Sequence, residues 1–78
     1  MYETIPLNHL NAGQTAQVEV VLGGVEQVHR LNELGLRQGA QVEMLQPGSP
    51  CILRLDGNKL CFRADEMLSV LVRLGVAT

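Results

Sequence analysis

Apolar and polar residues alternate from Thr15 to Leu22, with Ala16, Val18 and Val20 set against Thr15, Gln17 and Glu19. That period predicts a half-buried strand. Gly23-Gly24 breaks it. From Val25 to Leu34 the period changes: Val25, Val28, Leu31 and Leu34 recur at every third position. This predicts a helix with one apolar stripe, and Glu26, Gln27, Arg30 and Glu33 fall largely off it. Glu26 and Arg30 stand four apart with the acid first, a favourable arrangement on a helix surface. Gly35 follows. Many helices end on a residue in the left-handed region, which glycine adopts without a Cβ clash. Leu36 stands where such caps return an apolar side chain to the last turn.

Arg37-Gln38-Gly39 then turns the chain into a second strand, Ala40 to Leu45, with Val42 and Met44 on one face and Gln41 and Glu43 on the other. Gln46-Pro47-Gly48-Ser49-Pro50 is a loop by composition. Cys51–Leu55 and Lys59–Arg63 form two more strands around Asp56-Gly57, a tight-hairpin signal. Ser69 to Leu74 is the last strand. Ile5-Pro6-Leu7 opens the fold. Asn8 is positioned to cap a short helical turn with Leu7 and Leu10 facing inward. Ala12-Gly13 reads as a turn, and Ala64 to Leu68 as a second short helical turn. The expectation is a mainly β fold in a single domain, residues 1–78: five strands, one helix and one or two helical turns. Five short strands tend to curl into a small, partly closed barrel, because closure removes exposed edges.

A chain of 78 residues buries only about 60% of its unfolded surface. It has room for one core and none for a cleft between lobes. The formal net charge is −2, the six Lys and Arg are scattered, and the only aromatics are Tyr2 and Phe62. Nucleic-acid binding needs a basic face, ideally with rings for stacking, so composition excludes it. The aromatic-lined grooves that grip proline-rich peptides are excluded on the same ground. No apolar run approaches the ~20 residues of a membrane span. Met1-Tyr2-Glu3-Thr4 shows no basic region leading into an apolar stretch. The expected compartment is the cytoplasm, with Cys51 and Cys61 as reduced thiols.

The soft metal ligands are His9, His29, Cys51 and Cys61. No two of them share the spacing that presents a ready pair on a helix. Cysteines ten positions apart match no zinc pattern. No metal and no cofactor is expected. No nucleophile has a base beside it in a recognisable motif, and no glycine-rich phosphate loop is present. Gly23-Gly24 precedes a helix, where an anion can in principle be held, but a strand-to-helix turn with unusual backbone angles accounts for both glycines. The chain therefore reads as a binding module and not as an enzyme. The candidate partner-binding residues are those around the helix end: Arg30, Glu33, Gly35, Leu36 and Arg37. The alternative is that the charged ones only solvate the helix, with Arg37 favourably placed near its C-terminal dipole.

Arg30-Leu31-Asn32-Glu33-Leu34-Gly35-Leu36-Arg37-Gln38-Gly39 resembles the central signature of the FeoA family. Pro50, Gly57, Leu60-Cys61-Phe62-Arg63 and Glu66 resemble its second block, and Leu7, Leu10 and Gly13 its opening pattern. The resemblance runs from about residue 5 to residue 73. It implies an SH3-like β-barrel and a small cytosolic accessory of ferrous iron uptake that binds FeoB, the membrane iron permease. The same domain type also ends metal-dependent repressors of the diphtheria toxin repressor type. A stand-alone regulatory domain for such a transcription factor is thus one alternative, and a transition-metal-binding carrier another. Pairing of two copies along free strand edges stays open. Two residues depart from the pattern. Cys61 and Met67 stand where the family often has alanine, and both read as core substitutions, since Cys and Met pack as adaptable apolar groups.

Overall fold

The structure is a computed structural model, and it describes residues 2–67 and 69–75. Six strands form one antiparallel sheet: β1 (Tyr2–Pro6), β2 (Thr15–Val21), β3 (Gln41–Gln46), β4 (Cys51–Leu55), β5 (Asn58–Phe62) and β6 (Val70–Gly75). Their order across the sheet is β1-β6-β2-β3-β4-β5. Helix α1 (Val25–Glu33) bridges β2 and β3, and a single turn, α2 (Ala64–Met67), precedes β6. Leu7–His9 is a 3-10 turn. Leu68, expected in the second helical turn, lies outside the described residues.

Five of these strands fall within a residue or two of their expected bounds. The sixth, β1, has no signature of its own. Tyr2–Pro6 is short, ends in proline and does not alternate. It is a strand because β6 pairs with it, from Tyr2 opposite Gly75 to Pro6 opposite Leu71. Pro6 can end this strand because β1 is an edge, where a missing N–H costs no ladder bond. Among the described residues β1 and β5 pair with one neighbour each, so the sheet keeps two open edges.

The core lies on the inner face of the sheet. Ala16 and Val18 of β2, Val42 and Met44 of β3, Leu53 and Leu55 of β4, and Val70 and Val72 of β6 are all buried. No polar or charged residue is buried with them among the described residues. Leu7 and Leu10 cover one end, as expected. Asn8, however, sits inside the 3-10 turn and caps nothing; the N-cap is Pro6. The hairpin is as the Asp-Gly signal predicts. Leu55 opposes Asn58, and both Asp56 (φ 49°) and Gly57 (φ 82°) have positive φ. Two such residues define the tight turn whose twist matches the flanking strands.

Two expectations fail in instructive ways. Alternation puts Val20 inside with Ala16 and Val18, yet it is exposed. The pairing of β2 with β6 slips between Val18 and Val20. Such a bulge passes one extra residue and swaps the faces beyond it. Val21 accordingly packs against the core. The helix stripe fails for a different reason. A helix turns about 100° per residue, so positions three apart drift backwards by about 60° each. Val25 and Leu34 therefore end up on opposite sides of α1. Leu31 alone on the helix is buried, Val28 is half-buried, Leu34 is exposed and Val25 is 86% exposed.

The end of α1 is a complete Schellman motif. The Leu36 N–H donates to the Leu31 carbonyl at 2.9 Å, and the Gly35 N–H donates to the Asn32 carbonyl at 3.0 Å. Gly35 has φ +109°. The two leucines joined by the outer bond are both fully buried. A Cβ at Gly35 would meet Leu55 Cδ1 at 3.8 Å, which is ordinary contact. The penalty for Gly35→Ala is therefore conformational. We expect a loss of about 1 kcal/mol or more, read as a lower midpoint in urea. An unchanged midpoint would show that the turn can be reached without positive φ.

Candidate functional site

The residues expected to form a partner surface share the C-terminal half of α1 and the loop after it, but they do different things. Arg30 forms an ion pair with Glu66, a half-buried residue of α2. Its expected partner on the same helix, Glu26, is not the one it takes. Glu66 is positioned by a reciprocal cap: its Oε1 accepts from the Arg63 N–H at 3.3 Å, and its own N–H donates to the Arg63 carbonyl at 3.1 Å. Gln27 adds a second tie across the same gap, its Nε2 donating to Ser69 Oγ at 3.4 Å. Arg30 thus fastens α1 to the segment before β6. Glu33 lies within 3.3 Å of His29 Nδ1, with both side chains largely exposed. Gly35 shapes the chain. Leu36 is at 0% exposure and is a core residue, not a contact residue, because the cap turns it inward. Arg37 is exposed, and no acidic side chain pairs with it among the described residues.

A feature that no linear motif announces lies beside this helix end. α1 reaches the core through Leu31 but stands off β2 along its flank. The space between is a shallow groove of about 510 Å³ lined by Glu19, Val20, Val21, Val28, Asn32, Arg37 and Gln38. A second depression of about 340 Å³ continues it past Val28 and Asn32 to Gly23, Val25 and His29. Leu22, 49% exposed, borders the same strand end. The groove has two causes, one in β2 and one in α1. The bulge turns Val20 outward, and helix drift leaves Val28 half covered and Val25 bare. Its one sequence signal is the strict three-residue spacing of the apolar stripe, which a straight helix cannot bury whole.

The groove has two charged lining residues, Glu19 and Arg37, and they differ. Glu19 is engaged: Thr4 Oγ1 donates to its Oε2 at 2.7 Å, and Arg73 lies 3.5 Å from its Oε1. Arg37 lines the same groove, and its guanidinium has no acidic partner among the described residues.

The metal ligands do not converge. Among the described residues no group of three or more His, Cys, Asp or Glu is placed to hold a metal ion. On α1 His29 lies beside Glu33, four residues apart. Cys51 and Cys61 lie on neighbouring strands, as their spacing allows, but on opposite faces: Cys51 opposes Phe62, and Cys61 opposes Ile52. Cys51 is buried, with its Sγ 3.6 Å from Met44 Sδ, whereas Cys61 is exposed. Met67 is a core residue as expected; Cys61 is not, because strand alternation turns it outward.

The cysteines give a pH prediction. Burial pushes the Cys51 thiol above its ordinary 9.0, and a negative charge on Cys61 pushes the same way. In the unfolded chain Cys51 ionises near its ordinary value, while the folded state holds the proton. Its contribution to stability is therefore complete below about pH 9 and is lost as the pH rises through the folded value. We expect the melting temperature to fall above pH 9 more steeply in the native chain than in Cys51→Ala. Parallel curves would contradict this.

No helix of the described residues is long and apolar enough to cross a membrane. Comparison with curated proteins gives no match. Comparison with solved structures gives several. An iron uptake regulatory protein, FeoA, superposes with a TM-score of 0.87 at 26% identity, covering 91% of this chain and 97% of its own. FeoA of Chlorobium tepidum is 32% identical over 90% of this chain and 70% of its own, with a TM-score of 0.82. FeoA of Stenotrophomonas maltophilia, described as a prokaryotic SH3 domain protein and solved with zinc, is 28% identical, with a TM-score of 0.77 and coverage of 87% and 88%. The open sheet and its one main helix are thus the SH3-like fold of these proteins. The family profile of the FeoA domain matches residues 5–74. Matched by the profile over nearly its whole length and by the fold of these proteins, the chain belongs to the FeoA family, which is associated with ferrous iron transport.

Proposed function

We propose that this protein is a regulatory accessory of ferrous iron transport, and that it acts by binding the cytosolic part of an iron permease of the FeoB type. It works by contact and not by chemistry of its own. The observation that carries this reading is the apolar ground beside α1. Val20, Leu22 and Val25 are exposed together at one strand-to-helix junction, in a domain with a single small core. Grouped exposed aliphatics mark interaction sites more often than isolated ones do. The partner side of α1 is then the groove side, with Arg37 at its end. Arg30 contributes indirectly, by holding the helix through Glu66.

The test is capture of the intact permease in detergent by the immobilised protein. Enrichment well above that on an unrelated barrel of similar size is expected. Recovery equal to that control would overturn the proposal.

A further inference from the structure

The groove has a chemical polarity that narrows what it accepts. Its floor is aliphatic, made by Val20, Val21 and Val28. Its acidic residue is occupied, since Thr4 and Arg73 engage Glu19. It also presents Arg37, without an acidic partner among the described residues, with Asn32 and Gln38 among its other lining residues. A guanidinium with no acidic partner is suited to a carboxylate, which it can hold through two parallel hydrogen bonds. Resting on the proposal that the protein works by binding another protein, we infer that the α1–β2 groove seats a partner segment that sets an aliphatic side chain next to a carboxylate. The aliphatic group covers Val20 and Val28, and Arg37 takes the carboxylate. Basic segments are disfavoured, because they would bring a second cation against Arg37 with Glu19 already engaged.

The probe is a short capped peptide with two leucines followed by a glutamate. Two companions carry glutamine or lysine in place of the glutamate. Each is titrated into the isotope-labelled protein while its backbone amide resonances are followed. The glutamate peptide is expected to shift Val20, Val28, Asn32 and Arg37 and to leave β5 unmoved. The lysine peptide is expected to bind roughly threefold more weakly or worse, the scale of one exposed charge pair. Arg37→Glu, a surface change with no packing cost, is expected to reverse that order. Lys59→Glu, on the far edge strand, is expected to leave it unchanged. Absence of shifts at these residues, or shifts indifferent to the peptide's charge in both native protein and Arg37→Glu, would overturn the inference. So would self-association that saturates the same residues and is abolished by Arg37→Glu, since the occupant would then be a second copy.

Permease capture separates this inference from the proposal beneath it. Charge-dependent peptide binding without permease capture retains the groove chemistry and removes the permease. Permease capture that survives both Arg37→Glu and Val28→Asp retains the permease and removes the groove.

Discussion

Val72→Asp is expected to leave the chain largely unfolded at room temperature. Val72 is fully buried in the middle of β6. It opposes Val18 of β2 on one side and Ile5 of β1 on the other. Among the described residues, strand β6 is what joins β1 to the rest of the sheet. No polar residue shares the core among those residues, so a carboxylate placed there finds no partner. Burying such a group costs several kcal/mol whether it stays ionised or takes up a proton. A domain of this size is stable by only about 5 kcal/mol. Circular dichroism should show loss of the sheet signal under conditions where the native chain is folded. A cooperative melt within a few degrees of the native one would mean that β6 is not the central strand described.

Leu31→Ala is expected to lower stability by about 3 kcal/mol, the usual cost of truncating a buried leucine. For a domain of this length that corresponds to a fall in melting temperature of roughly 12–24 °C. Leu31 is the one fully buried side chain of α1, and its carbonyl also accepts the outer bond of the Schellman cap. Losing it should therefore loosen the helix as well as open a cavity. Amide exchange along α1 is expected to quicken more than exchange in β3 or β4. Val25 provides the contrast. It sits on the same predicted stripe but is 86% exposed, and Val25→Ala should change stability by no more than about 0.5 kcal/mol. Comparable losses from the two variants would show that the whole stripe faces the core, in which case the groove beside Val28 would not exist.

The same contrast bears on function. A helix held by one leucine, a cap, the Arg30–Glu66 pair and the Gln27–Ser69 bond leaves its flank free. Arg30 and Glu33 stand close together in the sequence as candidate contact residues. Packing divides them: Arg30 ties the helix down, whereas Glu33 faces outward beside His29. Of the two charged residues that line the groove, Arg37 is the one with no partner of opposite charge among the described residues, and the proposed partner chemistry turns on it.

Much of this is legible in the linear sequence, for reasons that are local. The helix stop at Gly35 needs one residue at positive φ, and Leu36 behind it needs an apolar place to return to. Both requirements span a few neighbouring positions. The Asp56-Gly57 hairpin is equally local, and so is the alternation that sends Val42 and Met44 inward from β3. The likeness to the FeoA family rests on such positions and holds over nearly the whole chain.

What tertiary structure alone decided are the features made by elements distant in sequence. Strand β1 exists because β6, from the other end of the chain, pairs with it. The bulge after Val18 arises where β2 must match β6, and it turns Val20 outward against the alternation. Which residue of the α1 stripe meets the core depends on how the helix axis crosses the sheet, and periodicity carries no information about that angle. Arg30 pairs with Glu66 and not with Glu26 because the fold, not the helix, brought the better carboxylate near. The groove is the product of these long-range choices. Local sequence specifies five of the six strands, the helix with its stop, and the family likeness; packing between elements distant in the chain decides which apolar side chains stay exposed.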